Sequence, residues 1–192
     1  MSTATARRMS EAEYLALEAT AETKHEYVNG ETIAMAGVSP EHSVVQVGLA
    51  TAVDAALASA GKPCLTFSSD TRVRISETGL YAYPDLTVVC GKPDFDHGAS
   101  PPSLLNPLVV FEVLSDSTEA YDRGAKAAHY RSRASLQEYV LVSSSERRVE
   151  ILRRAEEGWW KSALFEGDAA VPLASLGIEV PLRAIYRQLD LL

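Results

Sequence analysis

Residues 107–130 read PLVVFEVLSDSTEAYDRGAKAAHY, and the rest of the chain is organised around this stretch. It begins as a run of strand-forming residues that is apolar on both faces, which is typical of a strand buried inside a sheet. Glu112 lies in the middle of that run. An ionised carboxylate there loses hydration worth several kcal/mol unless a cation or hydrogen-bond donors replace the water. Glu112 is therefore a candidate functional residue.

A turn rich in helix-capping residues, 115–118, follows the strand, and the sequence predicts a helix over residues 119–133. Asp122, Lys126 and Tyr130 are spaced at i, i+4 and i+8 along it, so they share one helix face. A strand that carries a buried acid thus leads directly into a helix that can present a lysine.

A second strand-like run, residues 83–90, carries Asp85 at its start, directly after Pro84. Two acids on neighbouring strands can bind one divalent cation such as Mg²⁺, which lowers the pKa of a bound water and stabilises charge on a phosphate. Lys126 would orient or help deprotonate that water and offset the negative charge. Asp85, Glu112 and Lys126 together therefore predict phosphodiester hydrolysis, with Glu26 as a candidate third metal ligand.

The composition is that of one ordinary globular domain: 192 residues, 46% apolar and 23% charged. The 18 basic and 26 acidic residues give a net charge of −8, whereas domains that coat nucleic acid tend to be basic. An acidic protein can still cut DNA where a metal ion and a local basic patch supply the attraction.

Cys64 and Cys90 are the two cysteines, and they form no C-x-x-C pair, so a thiolate zinc site is not expected. A single disulfide stays open, although a reducing cytoplasm is the simpler interpretation. The N-terminal sequence MSTATARRMSEAEY lacks the apolar core of a signal peptide, and no apolar run is long enough to span a membrane. We expect a cytoplasmic protein.

Residues 1–9 are predicted to be disordered and residues 10–192 to form a single domain. Ser10 and Glu13 form a capping box for a first helix that buries Tyr14, Leu15 and Leu17.

The dipeptide Asn29-Gly30 lies between two strand-like runs and predicts a β-hairpin with Glu26 on its first arm. A second helix is expected from Ser39 to about residue 59, with His42 in its first turn.

Residues 70–76 alternate, which predicts Val73 and Ile75 inside and Arg72 and Arg74 outside. Residues 91–106 read as a long loop, residues 138–165 as a β-meander and residues 182–191 as a closing helix. This order predicts an α/β (α+β) fold, a central mixed β-sheet flanked by helices, with an N-terminal hairpin and a C-terminal meander.

These residues resemble a known family. Pro84-Asp85 followed by the strand residue Glu112 resembles the PD-(D/E)XK nuclease superfamily. A longer pattern, which runs from about residue 10 to 187, resembles the Uma-two family, whose members are described as restriction-type endonucleases. Its segments are EYVNGE at 26–31, HS at 42–43, YPD at 83–85, EVLS at 112–115, Thr118, Asp122, Lys126, Tyr130 and EY at 138–139.

The resemblance implies a restriction-endonuclease-like core and cleavage of DNA with Mg²⁺, or with Mn²⁺ in its place. A homodimer is expected, since cutting both strands favours two sites. The superfamily pattern has a lysine two positions after the glutamate, where this chain has Leu114; the resemblance moves that role to Lys126 on the following helix.

The resemblance implies that the catalytic residues are Asp85, Glu112 and Lys126. It implies that the metal ligands are Asp85, Glu112 and Glu26. It also implies that the residues supporting these groups from behind are His42, Asp122 and Tyr130.

Ordinary structural roles stay open for the same residues. Asp85 has the alternative of a carboxylate at a strand start that accepts from local backbone donors, and Glu112 that of an acid buried against Arg or Lys as a structural pair. Lys126 has the alternative of an exposed partner of Asp122. Glu26 has the alternative of an exposed strand residue, and His42 that of a capping or packing residue.

Two other functions stay open as well. One is a degenerate nuclease fold that binds nucleic acid or a protein partner without cutting, and the other is a metal-dependent hydrolase of small phosphoesters. A basic rim would favour DNA cleavage; its candidates are Lys24, Arg72, Arg74, Arg123 and Arg131. An acidic surface around a metal site would favour the small phosphoester.

Overall fold

The computed structural model of the chain describes residues 8–35 and 37–192. Most of the predicted disordered segment, residues 1–7, lies outside the described residues. Met9 is held in place, because its backbone N–H donates to the carbonyl oxygen of Gly30 at 2.9 Å.

The first half of the chain contains α1 Glu11–Glu18, β1 His25–Val28, β2 Glu31–Ala34, α2 Pro40–Ser59, β3 Cys64–Ser68, β4 Val73–Ile75, β5 Leu80–Ala82 and β6 Leu86–Cys90. The second half contains β7 Phe95–Asp96, β8 Ser103–Leu104, β9 Val109–Leu114, α3 Glu119–Tyr121, α4 Ala127–Ser132, β10 Glu138–Ser143, β11 Arg148–Arg154, β12 Trp160–Glu166, β13 Ala170–Leu173, β14 Ile178–Pro181 and α5 Leu182–Ile185. A π-helical turn, Asp122–Lys126, joins α3 to α4.

The strands form two six-stranded sheets, with the orders β2-β1-β5-β4-β8-β7 and β12-β11-β10-β9-β6-β3, and a two-stranded ribbon, β13-β14. In the second sheet β9 lies parallel to β10 and antiparallel to β6, so this sheet is mixed as predicted. The predicted meander is present as β10-β11-β12. The mixed α/β class is confirmed, with the strands divided between two large sheets.

The strand β9 lies between two apolar cores, and all six of its residues are buried. Phe111 and Val113 pack on one side with α2 and the C-terminal ribbon, while Val110 and Leu114 pack on the other side with α4. Successive residues of a strand point to opposite faces, so Glu112 shares the face of Val110 and Leu114. Glu112 therefore faces the helical segment that follows its own strand.

The hairpin predicted from Asn29-Gly30 is confirmed. Both turn residues have positive φ angles, 49° and 96°, as a type I′ turn requires. Glu26 on β1 is buried, so the alternative of an exposed strand glutamate is wrong.

The capping box of α1 is also confirmed: the N–H of Glu13 donates to the Ser10 hydroxyl at 3.2 Å, and the N–H of Ser10 donates to the Glu13 carboxylate at 2.8 Å. Tyr14 is buried as predicted, but Leu17 is 36% exposed, so its predicted burial is wrong. In the second turn of α1 the buried position is Glu18 rather than Leu17.

Replacing the cap of α1 gives a modest, measurable effect. Ser10→Ala removes the acceptor for the Glu13 N–H and is expected to lower the free energy of unfolding by about 1 kcal/mol, read from urea denaturation. Ser59→Ala, an exposed serine at the last position of α2, is the control and is expected to change stability by less than about 0.5 kcal/mol. An unchanged midpoint for Ser10→Ala would contradict the assignment of this cap.

Arg72 is the clearest departure from the sequence pattern. The alternation predicts it outside, yet it is fully buried, with its guanidinium 5.6 Å from the ring centroids of Tyr14 and Tyr81. Its Nε donates to the hydroxyl of Ser103 at 2.8 Å. Tyrosines and a hydroxyl from distant segments supply this environment, which a local pattern cannot reveal.

Two more predictions need correction. The loop predicted over residues 91–106 contains β7 and β8, and β8 pairs with β4 in the first sheet. The closing helix predicted over residues 182–191 is shorter, because α5 ends at Ile185 and only a 3₁₀ turn, Leu189–Leu191, follows.

Cys64 and Cys90 lie directly opposite each other in the β3–β6 pair and form a disulfide, the possibility that the sequence left open. Across the described part of the chain, no helix has both the length and the apolar character needed to cross a bilayer.

Candidate active site

Lys126 lies at the centre of a buried cluster of carboxylates. Its Nζ is 2.8 Å from Glu26 Oε1, 2.9 Å from Glu112 Oε1 and 3.4 Å from Asp122 Oδ1. All four side chains are almost fully buried. Lys126 is therefore not the exposed partner of Asp122, and three separate elements, β1, β9 and the π-helical turn, meet at its ammonium group.

Asp122 and Lys126 are the first and last residues of the π-helical turn, and both are buried in the cluster. Such a turn is wider than an α-helical turn and is frequent at functional sites. The hydroxyl of Tyr139 on β10 donates to the backbone carbonyl of Asp122 at 3.0 Å and fixes the turn against the sheet. Tyr130, one turn further along α4, is fully buried and packs on Tyr139 with ring centroids 5.2 Å apart.

Asp85 is anchored beside Glu112 by the pairing of β6 with β9. Leu86 lies opposite Phe111, so continuing this antiparallel register places Asp85 opposite Glu112. The backbone N–H of Val113 donates to Asp85 Oδ2 at 2.7 Å. The two acids predicted from neighbouring strands are thus neighbours in the structure.

His42 contacts Asp85 from the first turn of α2, with its Nε2 3.5 Å from Asp85 Oδ2. Burial opposes protonation of this imidazole, but the Asp85 carboxylate outweighs the burial, so the pKa of His42 is raised above its ordinary value. The cap of α2 explains its position, since the His42 N–H donates to the Ser39 hydroxyl at 3.2 Å.

The cluster carries more negative charge than its one lysine can balance. With all four carboxylates, Glu26, Asp85, Glu112 and Asp122, ionised and His42 neutral, the one ammonium leaves a formal charge of −4 + 1 = −3. Burial raises the pKa of Glu112 well above its usual range, although the ammonium of Lys126 opposes this. Burial lowers the pKa of Lys126, but the surrounding carboxylates outweigh it and raise that pKa, so Lys126 stays charged.

The cluster opens into a cavity of about 730 Å³. Its acidic side chains are Glu26, Glu41, Asp85, Glu112, Asp116 and Asp122. Its hydroxyl-bearing residues are Ser39, Tyr83, Ser115, Ser117, Thr118, Tyr121, Ser144 and Ser145, and its large apolar side chains include Ile33, Met35 and Val38.

Tyr121 is a cavity residue that the sequence pattern did not identify. Its hydroxyl is buried and has no hydrogen-bond partner within the described part of the chain. Burial, with the nearby Glu26 carboxylate, raises the pKa of Tyr121 to about 12. The one available signal was its position directly before Asp122.

The basic rim that would favour DNA binding is not assembled around the cavity. None of its five candidates, Lys24, Arg72, Arg74, Arg123 and Arg131, lines the cavity. Arg72 is buried, and Lys24, Arg74 and Arg123 are already paired with acids. The surroundings of the cluster are acidic.

The donor set fits a hard divalent cation that keeps part of its water shell. Within residues 8–35 and 37–192, no group of three or more His, Cys, Asp or Glu side chains is placed so that it could hold a metal ion. Mg²⁺ typically needs only one or two carboxylates, because it retains several waters. Asp85 and Glu112 provide such a pair on the cavity wall; Glu26 lines the same cavity, and both glutamates contact Lys126. The uncompensated charge of the cluster favours a cation at this place.

The fold is shared with a protein from Anabaena variabilis ATCC 29413, whose crystal structure is described as that of "a putative nuclease belonging to DUF820". The two structures align with a TM-score of 0.73 and 18% sequence identity, over 93% of this chain and 97% of the other. This likeness shows that the two proteins share a mixed α/β fold.

The chain belongs to the Uma2 (Uma-two) family, described as "Putative restriction endonuclease", whose family model matches residues 11–183. This confirms the resemblance seen in the sequence. Two similar proteins are the "Uncharacterized protein slr1290" and the "Uncharacterized protein sll1609" of Synechocystis sp.. The first is 36% identical over 95% of this chain and 93% of its own length, and the second is 33% identical over 88% and 94%.

Proposed function

We propose that this protein is a divalent-cation-dependent endonuclease that hydrolyses DNA phosphodiester bonds at the Asp85–Glu112–Lys126 cluster. The observation that carries the proposal is the buried contact between Lys126 Nζ and Glu112 Oε1, at 2.9 Å. Glu112 lies on β9, whose Val113 N–H binds the Asp85 carboxylate. Asp85, Glu112 and Lys126 all line the cavity. Membership in the Uma2 family supports the same conclusion.

In this proposal Asp85 and Glu112 would hold Mg²⁺ or Mn²⁺. When bound, the cation supplies a Lewis acid for the phosphate and an acidified water. The raised pKa of Lys126 keeps its ammonium protonated, so it acts by positioning and by offsetting negative charge rather than as a base. Glu26 and Asp122 hold the ammonium in place, and His42 supports Asp85.

The proposal includes DNA as the partner and a homodimer, since cutting both strands favours two sites.

Hydrolysis of a small phosphoester is a second candidate function. The acidic lining of the cavity and the absence of the five predicted rim residues from it favour this candidate. A short chromogenic phosphodiester, such as bis(p-nitrophenyl) phosphate, distinguishes the two. The second candidate expects turnover of this compound without cleavage of DNA.

Cleavage of supercoiled plasmid and of circular single-stranded DNA tests the main proposal. The wild type is expected to cut in the presence of Mg²⁺ or Mn²⁺ and to lose this activity in EDTA. Asp85→Asn is expected to lower the rate at least about a hundredfold, because it removes the negative charge of one of the two proposed cation ligands.

Asp116→Asn makes the same change at an exposed acid of the same cavity and is the matched control, expected within about threefold of wild type. The proposal would be overturned if the wild type cut neither the plasmid nor the single-stranded DNA, whether Mg²⁺ or Mn²⁺ was present. Equal losses in the two variants would show that net charge matters rather than Asp85.

A further inference from the structure

The charge distribution around the cavity does not suit a duplex. Proteins that bind duplex DNA through its backbone neutralise several phosphates with lysine and arginine. Here six acidic side chains line the cavity, and the basic groups beside them are Lys126 and His42. Lys126 is already shared among three carboxylates, and His42 contacts Asp85. Apart from a bound cation, the lining thus offers few positive charges to phosphates, so other parts of the substrate are expected to contribute to its affinity.

Exposed apolar side chains line the same cavity. Ile33 on β2 and Val38 before α2 are 44% and 57% exposed, and Met35 lies between them in sequence. A nucleobase presents flat faces that proteins hold between apolar or aromatic side chains when the base is unpaired. Inside an intact duplex those faces are covered by neighbouring bases.

The size and polarity of the cavity suit the same occupant. Its volume of about 730 Å³ lies within the range of pockets that enclose a small organic ligand, roughly 300–1,000 Å³. Ser117, Thr118, Ser144 and Ser145 offer hydroxyl groups that can both donate to and accept from the edge of a base. An unpaired base leaves that edge free.

We propose that the cavity binds an unpaired nucleotide, with its base against Ile33 and Val38, so that the preferred substrate is single-stranded or looped DNA rather than intact duplex. This inference rests on the proposed function and specifies its substrate. Contact of the base with Ile33 and Val38 selects unpaired DNA, and the Asp85–Glu112–Lys126 cluster hydrolyses the adjoining phosphodiester.

The test compares two labelled oligonucleotide substrates with the same strand sequence, one fully paired and one with an internal loop of unpaired bases. The wild type is expected to cut the looped substrate at least about tenfold faster, measured as kcat/KM. The double variant Ile33→Ser/Val38→Ser is expected to raise KM for the looped substrate about tenfold with little change in kcat, because it removes only the contact to the base.

Val47→Ser is the matched control, because Val47 is 54% exposed on α2 and does not line the cavity. Binding is measured in parallel by fluorescence anisotropy with Ca²⁺ in place of Mg²⁺, which reads affinity independently of cleavage.

The outcomes separate this inference from the proposed function. The inference would be overturned if the paired substrate were cut as fast as the looped one or faster, or if the double variant behaved like wild type. Neither result would contradict the proposed nuclease activity. Tight, loop-selective binding without any cutting would support the inference and overturn the proposed activity. Equal binding of the two oligonucleotides, without cutting, would overturn both.

Discussion

Glu112→Gln is expected to lower DNA cleavage by at least about 10²- to 10³-fold while leaving the metal-free protein as stable as wild type, or more stable. Glutamine keeps the shape of the side chain but removes the negative charge that a cation needs. Lys126 keeps two partners, Glu26 at 2.8 Å and Asp122 at 3.4 Å, so no buried ammonium is left unpaired. The substitution therefore separates catalysis from folding.

The stability difference between Glu112→Gln and wild type depends on pH. Burial raises the pKa of Glu112 in the folded protein well above its ordinary value of 4.5. A carboxyl whose folded pKa is raised contributes stability below its unfolded pKa, and this contribution is lost as pH rises through the folded pKa. The glutamine side chain of the variant does not titrate. The advantage of the variant is thus expected to grow as pH rises above about 4.5.

Urea denaturation in EDTA between pH 4 and pH 8, beside plasmid cleavage at pH 7.5, measures the two effects. Glu41→Gln, an exposed glutamate of the same cavity, is the control and is expected to retain cleavage and show no such pH-dependent gain. A Glu112→Gln protein that still cuts at the wild-type rate would remove Glu112 from the catalytic site.

Lys126→Met is expected to destabilise the protein by about 3–5 kcal/mol at pH 7 and to abolish cleavage. The ammonium is the shared partner of Glu26, Glu112 and Asp122, all almost fully buried. Without it, buried carboxylates are left unpaired, and they become neutral only by taking up protons. The loss of stability is therefore expected to be smallest near pH 5 and to grow towards pH 8.

Two variants make the Lys126 result interpretable. Adding Glu112→Gln to Lys126→Met removes one of the unpaired charges and is expected to recover part of the lost stability, since residues in contact do not act additively. Lys24→Met breaks a pair with the largely exposed Asp70 and is expected to cost about 1 kcal/mol or less. A loss below about 1 kcal/mol for Lys126→Met would contradict the buried cluster.

The sequence predicted those parts of the site that depend on local rules. Asn29-Gly30 imposes a turn with two positive φ angles, which fixes the hairpin that carries Glu26. The run around Glu112 is apolar on both faces of a strand, and this identified the central strand. The i, i+4 spacing of Asp122 and Lys126 placed them on one helix face. Such rules act over a few residues, so they can be read from a single sequence.

The parts that depend on distant segments were not predictable in this way. Arg72 lies inside because Tyr14 and Tyr81 provide an aromatic environment there, and this removes it from the expected basic rim. The π-helical turn, Asp122–Lys126, has no local signal; contacts to Glu26 and Glu112 on the two sheets accompany it. The acidic character of the cavity follows from these placements rather than from the net charge.

Calorimetric titration of Mn²⁺ into the metal-free protein tests the central claim most directly, because Asp85 and Glu112 must hold a cation if the cluster is catalytic. We expect one site per chain in the wild type, lost in Asp85→Asn and in Glu112→Gln and retained in Asp116→Asn. No binding heat in the wild type at millimolar Mn²⁺, or binding that is unchanged in the Asp85 and Glu112 variants, would contradict the account.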